Sequence, residues 1–109
     1  MAKRAPKRSD RTLRREQERA LIQLEKDRER LFALEPGGHF ERPLEVATAA
    51  VIEAHALSVV CPRCAGNLEL LEHAAVVQGG VRLRETKLRC RQCASQRSRW
   101  FKIVGSSPS

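Results

Sequence analysis

Cys61-Pro62-Arg63-Cys64, twenty-five residues, then Cys90-Arg91-Gln92-Cys93: this stretch decides how the chain is read. All 4 cysteines of the 109-residue protein lie in it, as two pairs with the same two-residue spacing. A Cys-x-x-Cys bend brings two sulfurs to one ion while its backbone amides point at those sulfurs. Two such bends can close a tetrahedral four-thiolate site, for which zinc is the leading metal, with bonds of about 2.3 Å. Pro62 sets φ in the first bend, and Gly66 supplies permissive backbone on the way out. The second bend has Ala94 and Ser95 in the matching places. Two disulfides, a redox dithiol and a four-thiolate iron site of the rubredoxin kind are the competing readings. The start, Met1-Ala2-Lys3-Arg4, leads into charge rather than an apolar run, so a reducing, cytoplasmic setting is expected, where paired cysteines point to metal.

The composition supports a small metal-stapled domain. Aromatic residues make up 4% of the chain and charged residues 31%, too few large side chains for an extensive core. About fifty residues around the cysteines would be marginal on hydrophobic burial alone. A structural metal offsets this, because its ligands assemble only on folding. No run of apolar residues is long enough to span a membrane, so no membrane partner is expected.

Working outward, Asn67–Leu71 reads as the start of a strand, with a bulge near His73 before Val76 and Val77 resume it. Gln78-Gly79-Gly80 reads as a tight turn and Val81–Arg89 as the return strand. Ser98–Val104, with Trp100 and Phe101, makes a third strand. Adjacent strand residues point to opposite faces, so one of these two rings belongs in the core and the other flanks it. Residues 51–60 are expected as a strand leading into the first cysteine bend, although the alanines there favour helix. Gly37–Pro43 reads as a linker in which His39 and Phe40 are incidental.

The N-terminal half is different. Residues 1–9 are a charged basic tail. From Asp10 to Leu34 the chain reads as one helix, capped by Ser9 or Asp10 and stopped by Pro36-Gly37-Gly38. Leu13, Ala20, Leu24 and Leu31 form a stripe, widened by Leu21 and Phe32. Gln17 and Asp27 interrupt its heptad, so self-association through residues 10–34 is one expectation and docking onto its own domain another.

CPRCAG, a long hairpin, CRQC and an aromatic strand together resemble the zinc ribbon fold group over about residues 58–104. The resemblance implies that Cys61, Cys64, Cys90 and Cys93 ligate Zn2+. It implies no single function, because zinc ribbons serve as nucleic-acid binders, protein adaptors and structural staples. The second bend lacks the usual glycine after its second cysteine. The expected fold is small α+β: a long helix over 10–35, a linker over 36–50, a three-stranded antiparallel zinc ribbon over 51–104 and a tail from 105.

The formal net charge is +8. Lys87, Arg89, Arg91, Arg97, Arg99 and Lys102 form a run without an acid. Part of it balances a four-thiolate zinc site, whose net charge is near −2. The remainder suits a phosphate backbone, and Arg82, Arg84, Arg97, Arg99, Trp100 and Lys102 are the candidate DNA or RNA contacts. An enzyme is not expected: His55 and His73 have no paired acid in sequence, and a closed tetrahedral site leaves no open position for water.

Overall fold

The computed structural model describes residues 9–105; the basic segment before Ser9 and the last four residues lie outside them. The elements are a helix α1 (Asp10–Leu34), a short strand β1 (Leu44–Val46), a helix α2 (Ile52–Leu57) preceded by a 3-10 turn, and strands β2 (Leu68–Gln78), β3 (Val81–Cys90) and β4 (Gln96–Ile103). The result is a small α+β fold with a mixed sheet in the order β1-β4-β3-β2.

α1 begins where Ser9 accepts from the Thr12 N–H at 3.2 Å, one of the four donors a helix start leaves unpaired. It ends before Pro36, and the chain doubles back across its last turn. Gly38 is the hinge: a Cβ there would sit 2.1 Å from the Phe32 carbonyl oxygen. Gly37, at φ 89°, joins the hinge to the sheet, its carbonyl accepting from Trp100 N–H at 2.7 Å. Arg42 adds a bond from its guanidinium to the Ala33 carbonyl at 3.1 Å.

Three expectations are corrected. Leu44–Val46 is a strand rather than linker, pairing parallel with Phe101–Ile103, so the sheet has four strands and is mixed, not three antiparallel ones. Three residues between a turn and a helix carry too little pattern to announce a strand. Residues 51–60 are not a strand: Ile52 and Ala56, four apart, both lie at 0% exposure on the buried side of α2. Helical propensity and a one-turn apolar spacing prevail there. The bulge falls at Leu71 rather than His73, between the pairs Leu70↔Leu88 and Glu72↔Lys87.

That bulge moves His73, not Glu72, onto the face carrying Leu68 and Leu70. The Gly79-Gly80 turn is as read, with Gln78↔Val81 closing a two-residue loop and both glycines at positive φ.

The core lies on one face of the sheet, under α2. Val46, Ile52, Ala56, Leu68, Leu88 and Phe101 form it together with Cys61 and Cys90. Core and cysteine cluster are therefore continuous. Thr86 shares this face at 0% exposure, its hydroxyl donating to the Arg99 carbonyl at 3.2 Å. This satisfied polar residue hides the even-numbered inward pattern of β3. Leu83 is buried on the opposite face, where it pairs with Val76. Phe101 is core, and Trp100, half-buried on the other face, meets Phe40 edge-on at 5.9 Å. Phe40 is thus part of the packing rather than incidental. Among the described residues, no helix is long and apolar enough to cross a membrane.

Candidate metal centre

Two chain segments bring four sulfurs together. The first bend follows α2 and is closed by the isolated bridge Val60↔Asn67; the second joins β3 to β4. They have the same backbone wiring. In the first, Cys61 N–H donates to the Gly66 carbonyl at 2.9 Å and Ala65 N–H to the Cys61 carbonyl at 2.8 Å. In the second, Cys90 N–H donates to Ser95 at 2.9 Å and Ala94 N–H to Cys90 at 3.0 Å. Arg91 N–H, donating to the Asn67 carbonyl at 2.9 Å, ties one bend to the other.

The residue after each second cysteine is left-handed: Ala65 at φ 60° and Ala94 at φ 62°. The turn shape expected of a glycine is therefore reached by alanine in both bends, at a cost in strain. Gly66 has a different role from the one expected. A Cβ there would lie 2.9 Å from Cys90 Sγ and 2.9 Å from Gln92 Cβ, so the missing side chain is what lets the bends close.

The four Sγ atoms lie within 4.8 Å of one another, near enough to hold a metal ion. Cys61 and Cys93 are 3.7 Å apart and Cys64 and Cys90 are 3.3 Å apart. Sulfurs around a tetrahedral ion with bonds of about 2.3 Å would be separated by about 3.8 Å. A disulfide needs about 2.05 Å, and all four cysteines are free. The surroundings favour negative sulfur. Gln92 N–H and Cys93 N–H point at Cys90 Sγ at 3.3 and 3.4 Å. The Ser95 hydroxyl lies 3.0 Å from Cys93 Sγ and 3.5 Å from Cys61 Sγ.

Without an ion the thiols divide. Burial pushes the Cys61 thiol up, but hydrogen bonds from Ser95 and from the N–H groups of Cys64 and Arg63 outweigh it and bring it down to about 6. The Ser95 hydroxyl and N–H lower Cys93. Cys64 is pushed up to about 12, chiefly by its contact with Cys90. An ion would replace that sharing of protons with four sulfur–metal bonds.

Among the described residues, Arg97 brings a cation to the cluster. Arg97 places Nη2 3.5 Å from Cys61 Sγ and 2.9 Å from the Ser95 hydroxyl. The same guanidinium makes a two-pronged pair with Glu29 of α1, at 2.9 and 3.0 Å. The Arg97 side chain is 6% exposed and the Glu29 side chain 40%, so the guanidinium is withdrawn from water while the carboxylate stays partly in it. On the same side Arg63 reaches Glu25 at 3.4 Å. The helix is thus linked to the cysteine cluster through Glu29, Arg97 and Cys61. Glu29 and Ser95 carry no signature that names them in the sequence; Glu29 is 68 positions from its partner.

The six candidate nucleic-acid contacts do not form one surface. Strand register places Arg84, Arg97 and Arg99 with the core face and Trp100 and Lys102 on the other. Arg97 is engaged as described. Arg99 is buried at 6% exposure, donating to the Pro36 carbonyl at 3.3 Å and lying over the Phe32 and Phe101 rings. Trp100 is half-buried, with Phe40 edge-on against it. Lys87, Arg89 and Arg91, in the same basic run, pair with Glu72 or Glu69. Arg82 and Arg84 stand near the hairpin end beside Val76 and Val77.

No family model, no curated protein and no solved structure matches this chain.

Proposed function

We propose that this protein is a structural zinc protein, ribbon-like at its metal centre, in which the ion fixes a small sheet as the base for a 25-residue helical arm. The observation that carries the reading is the convergence of four thiols from two matching bends within 4.8 Å, with Arg97 joining them to the arm. Cys61, Cys64, Cys90 and Cys93 would hold the ion. Four thiolates complete a tetrahedral shell, which suits a structural ion and leaves no position for a reacting water, so the reading includes no catalysis. The arm has no buried residue and serves as the interaction element.

The test is metal analysis of untagged protein followed by chelation. One zinc per chain, a colourless solution and loss of the sheet signal on chelation are expected. A visible absorption band with stoichiometric iron replaces zinc with an electron-transfer centre, and a metal-free folded protein removes the reading.

A polyanion contact is a second reading, favoured by the +8 charge and by Arg11, Arg15 and Arg19 one turn apart on the exposed arm. It predicts nucleic-acid affinity that falls steeply with salt; absence of binding at about 50 mM salt removes it.

A further inference from the structure

α1 is docked by its polar side. Glu25 and Glu29 make its ion pairs with the sheet domain, and Phe32 lies 5.2 Å from the Arg97 guanidinium. At about 100° per residue, the stripe Leu13, Ala20, Leu24 and Leu31 lies roughly 140° around the helix from those two glutamates. Its leucines are 41%, 44% and 62% exposed, and Leu34 is 54% exposed. An amphipathic helix in a self-sufficient domain turns such a stripe inward. This one turns it away from the four-stranded sheet.

The interruptions in the stripe indicate what covers it. Taken at alternating steps of four and three, the seam is Leu13, Gln17, Ala20, Leu24, Asp27, Leu31, Leu34. Two copies side by side in parallel would set Asp27 against Asp27, two carboxylates in one apolar seam. Two copies running antiparallel about residue 22 set Leu13 against Leu31, Ala20 against Leu24, and Gln17 against Asp27. The two polar breaks then share a layer, where the Gln17 amide can donate to the Asp27 carboxylate. Residue 22 is also the midpoint of Asp10–Leu34, so the register that pairs Gln17 with Asp27 overlaps the whole helix, leaving Leu34 opposite Asp10 at the two ends. The flanks differ: Glu16 falls near Arg30 of the second copy, an opposite-charge pair, whereas Arg14 falls near Arg28 of the second copy, a like-charge contact on the exposed rim that works against the pairing.

We propose that α1 is a dimerisation helix whose occupant is a second copy of this chain, paired antiparallel through this seam. The proposal rests on the reading of α1 as the interaction element and goes further in naming the partner and the register. The sheet domains then sit at opposite ends, each on the outer side of its own helix. Leu31 also lines a cleft of about 590 Å³ with Val59, Val60 and Pro62, so the end bearing Leu13 of the second copy meets apolar surface beyond the helix. Val60 there is 52% exposed.

Sedimentation equilibrium of the full chain, with metal content measured in each sample, tests this. The expected species has twice the 12.3 kDa chain mass. Leu24→Lys, which puts two ammonium groups in the seam, should weaken the dimer by about 100-fold or more. Gln17→Lys separates the orientations: it should tighten an antiparallel dimer by about fivefold by facing Asp27, and loosen a parallel one by facing itself. A metal-loaded monomer overturns the proposal and leaves the metal centre standing. A dimer indifferent to Leu24→Lys, or loosened by Gln17→Lys, also overturns it. A metal-free, unfolded chain overturns both this and the reading beneath it.

Discussion

At the residue scale, small differences in side-chain volume set the geometry of the cysteine cluster. Ala65 and Ala94 hold left-handed backbone that glycine adopts without a Cβ clash. Replacing either by Gly should therefore stabilise the metal-loaded protein by about 1 kcal/mol, read as a rise in the denaturation midpoint. Gly66 behaves oppositely: Gly66→Ala places a methyl against Cys90 Sγ and should weaken metal retention, measured as faster transfer to a chromogenic chelator. Arg97 is the most connected side chain near the cluster. Glu29→Gln removes the carboxylate from a guanidinium that is 6% exposed, and because Glu29 itself is 40% exposed it should cost only about 1 kcal/mol of stability. The same substitution should loosen the end of α1, seen as faster amide exchange over its last two turns. Equal exchange in the two proteins would mean that the pair does not hold the helix.

At the element scale, the joint between α1 and the sheet is a backbone device. Gly38 passes so close to the Phe32 carbonyl that Gly38→Ala must move the helix end or the Pro36–Gly38 turn. The expected outcome is an intact sheet with an undocked arm, reported by loss of the Phe40–Trp100 environment in Trp fluorescence while the measured metal content is unchanged. A fluorescence spectrum identical to that of the parent would refute this. The Gly79-Gly80 turn has open space around both glycines, so Gly79→Asn, which keeps a residue tolerant of positive φ, should leave stability within about 0.5 kcal/mol. The contrast is between two glycine pairs that look alike in sequence. One is a loop tip with nothing near it, and the other threads between a helix and a strand.

At the scale of the whole molecule, core and candidate metal site are one structure, since Cys61 and Cys90 are among its best-buried side chains. Removing the metal should therefore melt the sheet cooperatively rather than open a local loop, with loss of the strand signal and of amide protection in β3 and β4 together. Retention of that protection in the chelated protein would show that the apolar core stands alone. The cysteine pairs, the α1 span, the two-glycine hairpin and the division of Trp100 from Phe101 were legible from residues alone, because each rests on local spacing: two residues, three and four, or alternation. The parallel β1 strand, the helical turn at Ile52–Leu57 and the bulge at Leu71 were not, because each is short and stabilised by partners distant in the chain. The same division holds for charge. Sequence alone determined that Arg97 and Arg99 sit in a basic run beside a cysteine bend. Only the tertiary structure decided that one is spent on Glu29 and Cys61 and the other on Pro36 and two aromatic rings, because a guanidinium withdrawn from water takes whichever acceptors the packing brings within reach.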